Sequence, residues 1–184
     1  MEGVEIVQEF PDSPDAMSRA WLGEVIGGQV TAMNWQPIGT GQVGDSFRLA
    51  VSLEGEGAPR TYAAKFAAAD PTSRGTAAMF GLYAKEVAFY RGIAPSLAAR
   101  TPQTHYAGVS EDGTSCLLLF EDLGPARQGD QVAGCSPADA RAAIEQAALI
   151  HGSSWQRHDL LGADWLAPVS HLADMLVPLY GHAH

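Results

Sequence analysis

Apolar residues recur at four-residue spacing early in the chain: Met17, Trp21 and Val25, with Leu22 and Ile26 beside them. That spacing gives one face of an amphipathic helix. Ser13 offers a cap, Pro14 suits a first helical turn, and Asp15 complements the positive end of the dipole. The pattern therefore predicts a helix from near Ser13, ended by Gly27 and Gly28. The period then falls to two. Residues 30–38 form a strand-like run, Phe47, Leu49, Val51 and Leu53 alternate on one face, and residues 60–66 form a third run. Asp70-Pro71-Thr72-Ser73 breaks the strand and can start a helix. Helical spacing returns in Met79, Tyr83, Val87 and Tyr90, which places the main helix at about 75–93. Two more strands follow at 105–109 and 115–121, joined by the turn Glu111-Asp112-Gly113.

After Leu123 the composition changes. Gly124, Pro125 and the polar residues up to Gly134 read as a linker, and Ser136-Pro137-Ala138-Asp139 is a helix start that carries the chain to about Ser154. A further apolar helical pattern runs from His171 to Tyr180. The order is helix, three strands, helix, two strands, linker, helices. It predicts an α+β fold built on a five-stranded antiparallel sheet, not the strand–helix alternation of a doubly wound one. Residues 1–123 form the first predicted domain and 124–184 the second.

Composition narrows the partners. The 184 residues are 46% hydrophobic and 17% charged, enough to bury a core. The net charge of −10 repels a phosphate backbone, so nucleic acid is not expected as a partner. No run reaches the length of a membrane span, and MEGVEIVQEF lacks the basic and apolar regions of a signal peptide, so a cytoplasmic protein is expected. Cys116 lies in an apolar run and reads as a small core residue. Only Lys65 and Lys85 are lysine among eleven cations.

Candidate chemistry begins at Gly39-Thr40-Gly41-Gln42-Val43-Gly44. Alone, this spacing suits a dinucleotide-binding turn, a kinase phosphate loop or a plain hairpin. A dinucleotide site needs a helix after Gly44; the period-two run at 47–53 favours a hairpin whose amides cover phosphates. Lys65 follows Gly44 by twenty-one residues, among apolar flanks that call for a carboxylate partner. Glu86, twenty-one residues further on, sits on the predicted helix beside Tyr83, Val87 and Tyr90 and is expected to be partly enclosed. The apolar strand ending in Glu121, Asp122 and Leu123 suits a hinge, where the backbone groups of Glu121 and Leu123 meet an adenine edge. His151 and Trp155 read as packing residues of a second lobe, and His182 and His184 as a frayed end.

Taken in order, IGTGQVGDSFRLAV, YAAKF, KEVAFYR, LLLFEDL, GDQ and LIHGSSW resemble the aminoglycoside-phosphotransferase-like kinases, especially the ecdysteroid-kinase-like (CHK kinase-like) branch, over about residues 20–160. The resemblance implies a protein-kinase-like small lobe, then helices of a large lobe, and transfer of the ATP γ-phosphate to a small-molecule hydroxyl. It implies that Gly39, Gly41, Gly44 and Ser46 belong to the loop over the phosphates. Lys65 then binds the α- and β-phosphates, Glu86 is its ion-pair partner, and Glu121 and Leu123 contact the base. Such a site works mainly by positioning and charge stabilisation.

The chain departs from that family in one respect. The family's aspartate base, its metal-binding asparagine and a later Mg²⁺-holding aspartate follow the LIHGSSW helix. Residues 156–184 supply neither motif: His158-Asp159 comes too early, and Asn34 is the only asparagine. The expectation is a small lobe with an incomplete large lobe that grips ATP and lacks the base and Mg²⁺ ligands. Leu172, Met175, Leu176 and Leu179 then suggest an exposed apolar remnant able to form an oligomer. A non-catalytic nucleotide-binding or interaction module is the alternative.

Overall fold

A computed structural model describes residues 10–39, 41–126, 129–130 and 132–166. The predicted helix at 171–180, with Leu172, Met175, Leu176 and Leu179, and the histidines 182 and 184 lie outside the described residues. Two compact units divide between Ser153 and Ser154.

The first helix, α1 (Arg19–Ile26), starts later than the sequence pattern suggests. Ser18, in an extended conformation, caps it by accepting from the Trp21 N–H at 3.1 Å. Ser13 and Pro14 form only a single turn, closed by Met17 N–H on Pro14 C=O at 3.2 Å. That turn still buries Met17, so the apolar stripe reaches the core although its first member is not helical.

Five strands follow as anticipated: β1 (Val30–Pro37), β2 (Gly44–Leu53), β3 (Arg60–Ala67), β4 (Thr104–Val109) and β5 (Cys116–Glu121). All pairings are antiparallel, in the order β1-β2-β3-β5-β4. The fold is thus α+β on a five-stranded sheet. Alternation puts Leu49, Val51, Tyr62, Ala64, Phe66, Leu117 and Leu119 on one face, where they bury Met17 and Leu22 from the α1 side. Phe47 completes that face only in part, half-buried between Trp35 and Phe66.

The opposite face is covered by the segment between β3 and β4, and here the single helix expected at 75–93 is replaced by two. Asp70 accepts from the Ser73 N–H at 2.8 Å and starts α2 (Pro71–Met79) several residues earlier than expected, with Pro71 in its first turn. The chain then turns at Gly81 (φ +62°) into α3 (Leu82–Ala88), which widens into a π-turn over Phe89–Ile93. The break takes Met79 off the buried stripe: it is 70% exposed, whereas Tyr83 and Val87 are buried. Val87 packs on Ala107, Leu118 and Phe120.

Beyond β5, α4 (Pro137–Ser154) has the boundaries the sequence pattern predicts. Ser136 Oγ accepts from Asp139 N–H at 3.1 Å while Asp139 Oδ2 accepts from Ser136 N–H at 3.2 Å, a reciprocal cap. The helix buries no residue, and His151 is exposed. In the second unit, α5 (His158–Leu161) follows an exposed Trp155. No helix among the described residues is long and apolar enough to cross a membrane.

Cys116 is a core residue, 1% exposed, whereas Cys135 is exposed. Burial, then the nearby charge of Glu86, pushes the Cys116 thiol up to about 12, so its thiolate is scarce at ordinary pH. In the native chain at pH 8, a chromogenic thiol reagent should modify one cysteine, and the second only after denaturant is added.

Candidate functional site

Strand register assembles the site. Ser46 lies opposite Lys65 on β2 and β3, and Lys65 lies opposite Leu118 on β5. One row along, Arg48, Ala63 and Phe120 are aligned in the same way. Directly opposed residues share a face, so both rows belong to the face that carries α3. Ile38 N–H donates to Ser46 C=O at 2.8 Å, which extends the β1–β2 pairing to the base of the glycine-rich hairpin. β2 runs from Gly44 to Leu53, so the helix that a dinucleotide-binding turn requires after Gly44 is replaced by a strand.

Lys65 meets Glu86 there. Its Nζ lies 2.8 Å from Oε1 and 2.7 Å from Oε2, with the two side chains 27% and 29% exposed. An ammonium so enclosed needs a counter-charge, and a carboxylate engaged through both oxygens fixes its direction. Water still reaches both groups, so the pair adds more to orientation than to stability.

The hairpin is held close to this pair by the absence of side chains. A Cβ on Gly44 would come within 2.9 Å of Lys65 Cε and of the Phe66 carbonyl oxygen; one on Gly41 would meet the Gly44 carbonyl oxygen at 2.2 Å. Gly39 has φ +73°. Tyr83 supplies a tie that sequence pattern alone reads only as a core residue. Its hydroxyl donates to Val43 C=O at 2.6 Å and accepts from Ala68 N–H at 3.1 Å. It joins α3 to the hairpin and to the chain just after β3, with the ring 1% exposed. Asp45 adds a second tie, accepting from Ala69 N–H at 2.7 Å.

Gly39, Gly41, Ser46, Glu121 and Leu123 all line one cleft of about 490 Å³, with Ala63 and Phe120 on its apolar side. Gly44, Lys65 and Glu86 form the adjoining cluster, joined to the cleft by the Ser46–Lys65 pairing. The predicted set is therefore brought together in two contiguous groups. At the end of β5, two backbone groups are already engaged: Glu121 N–H donates to Gln103 C=O and Leu123 C=O accepts from Ala126 N–H, each at 2.9 Å.

The sequence offered no role for Arg48, yet it also lines the cleft and pairs with Asp122. Arg48 Nη2 donates to Asp122 Oδ1 at 3.1 Å; Nε lies 2.8 Å from Oδ2, buried and out of hydrogen-bond alignment. Gly124 N–H also donates to Oδ1, at 3.1 Å. Burial works against ionisation of Asp122, but the bonds from Arg48, Gly124 and Thr61 and the charge of Arg48 outweigh it and hold the carboxyl below its usual range. A hollow of about 540 Å³ beside β4, next to Tyr90, Arg91 and His105, includes neither the glycine-rich hairpin nor Lys65. Among the described residues no group of three or more His, Cys, Asp or Glu is arranged to hold a metal ion.

Two outcomes follow from this geometry. Gly44→Ala should cost about 1–3 kcal/mol in chemical denaturation, because the Phe66 carbonyl cannot move aside as a side-chain end can. The Asp122 contribution should be present above the unfolded value of about 4 and be lost as pH falls through its lower folded value. Asp122→Asn should thus flatten the fall in stability as pH drops below the ordinary carboxylate range, measured by denaturant titration at each pH. No family model, curated protein or solved structure matches this chain.

Proposed function

We propose that this chain is the ATP-binding portion of a small-molecule kinase, with residues 10–123 acting as a protein-kinase-like small lobe. The Lys65–Glu86 pair beneath the glycine-rich hairpin carries the reading. An ammonium held by a carboxylate beside a tight glycine-rich loop suits polyanionic phosphate oxygens. Its companion cleft, apolar on the Ala63–Phe120 side and polar at the hinge, has the size and mixed lining of a small-molecule site.

The residues fit a nucleotide in separate roles. Ala63 and Phe120 offer the flat apolar contact a base needs, the hinge backbone offers edge hydrogen bonds, and Ser46 stands between base and phosphate ends. Lys65 neutralises phosphate charge, and Glu86 prevents the ammonium from swinging away. Mg²⁺, when bound with the nucleotide, would supply neutralisation of phosphate charge; among the described residues no group of three or more His, Cys, Asp or Glu is arranged to hold it. With no aspartate base and no paired asparagine in residues 156–184, the chain grips ATP without transferring its phosphate. The acceptor hydroxyl compound belongs to a complete kinase, in the cytoplasm where ATP is supplied.

Isothermal calorimetry with ATP tests this. The unchanged chain should bind, and Lys65→Ala should weaken binding by roughly tenfold or more, the scale of a lost charge-assisted hydrogen bond. Equal affinity in both would remove the phosphate role of Lys65. ATP-dependent phosphorylation of an added alcohol by the purified chain would contradict the absence of transfer.

A further inference from the structure

We propose that Arg48 sets the purine preference of the cleft: by occupying the Asp122 carboxylate it leaves the base end suited to adenine and closed to guanine. This rests on the nucleotide reading above.

The argument starts from what a carboxylate does at such a place. Asp122 lies between Glu121 and Leu123, and all three line the cleft. An ionised carboxylate only accepts hydrogen bonds. Guanine presents two adjacent donors, N1–H and the 2-amino group, which a carboxylate takes together. Adenine presents a donor beside an acceptor, and its N1 lone pair is repelled by the same carboxylate. An unencumbered Asp122 would therefore make this a guanine-reading wall.

The structure shows an encumbered one. Asp122 Oδ1 receives Arg48 Nη2 and Gly124 N–H, and Oδ2 faces Arg48 Nε at 2.8 Å. The side chain is only 10% exposed. The charge is neutralised, Oδ1 accepts twice, and Oδ2 lies against the guanidinium. Guanine would have to displace a paired guanidinium and would leave Arg48, with its already buried Nε, without a counter-charge. Adenine needs only the backbone edge.

The pair also ties β2 to the hinge, so loss of Arg48 could loosen the cleft for any nucleotide. A purely mechanical role lowers affinity for ATP and GTP alike; base selection moves their ratio. The experiment is calorimetric titration of the 184-residue chain with ATP and with GTP, repeated on Arg48→Met and on Arg48→Met/Asp122→Asn, each checked for folding by circular dichroism. The unchanged chain should favour ATP. Arg48→Met should shift the GTP-to-ATP affinity ratio toward GTP by roughly tenfold, as expected for a freed bidentate acceptor. Removing the carboxylate in the double variant should return the ratio toward its original value. Should Arg48→Met fail to fold, Arg48→Lys, which keeps the charge and loses the fork, should shift the ratio the same way by less. An unchanged ratio in the folded arginine variant, or a ratio that stays shifted in the double variant, overturns the proposal. Absence of any nucleotide binding by the unchanged chain overturns the nucleotide reading itself and this inference with it.

Discussion

An ammonium on a central strand is the constraint around which the site is organised. β3 has β2 on one side and β5 on the other, so Lys65 emerges among backbone and apolar side chains with Leu118 opposite it. Partly enclosed there, it is oriented by a counter-charge. Glu86 on α3 provides the partner, and that requirement fixes how α3 lies across this face: Val87 must pack on Leu118 and Phe120 while Glu86, one residue before, reaches the lysine. The glycine-rich hairpin is bound by the same need, since any side chain at Gly44 would occupy the lysine's path.

Much of this was legible in the sequence because it depends on local period and simple charge logic. The alternation in 47–53 identified β2, and a lone lysine between apolar flanks demanded an acid that the next helix could supply. Capping chemistry was legible where it was unique, as at Ser136 and Asp139. It misled at the first helix, where Ser13 stands before the apolar stripe but Ser18, one residue after Met17, has the extended backbone and the hydroxyl that cap α1. At Gly81, a periodic run of apolar residues concealed a turn, because the spacing of Tyr83, Val87 and Tyr90 continues in the second helix and only Met79 falls out of line.

Other features lay beyond pattern reading altogether. Tyr83 looks like any buried aromatic until its hydroxyl is seen to reach Val43, forty residues away. Arg48 and Asp122 are separated by seventy-four residues, and their pairing is a product of strand order: β5 joins β3, which brings the end of β5 within reach of β2. No periodicity in one strand carries that information. The end of β5 shows a further limit, because the availability of Glu121 and Leu123 depends on neighbours such as Gln103 and Ala126 that have already claimed some of their backbone groups.

Tyr83 and Glu86 stand three residues apart on the same short helix, within one turn. One ties the glycine-rich hairpin through Val43 and the other engages Lys65. A small rotation of α3 therefore displaces the hairpin and the lysine in concert, as a single lever. Whatever touches the exposed start of that helix, around Leu82, has mechanical access to both halves of the site without entering it.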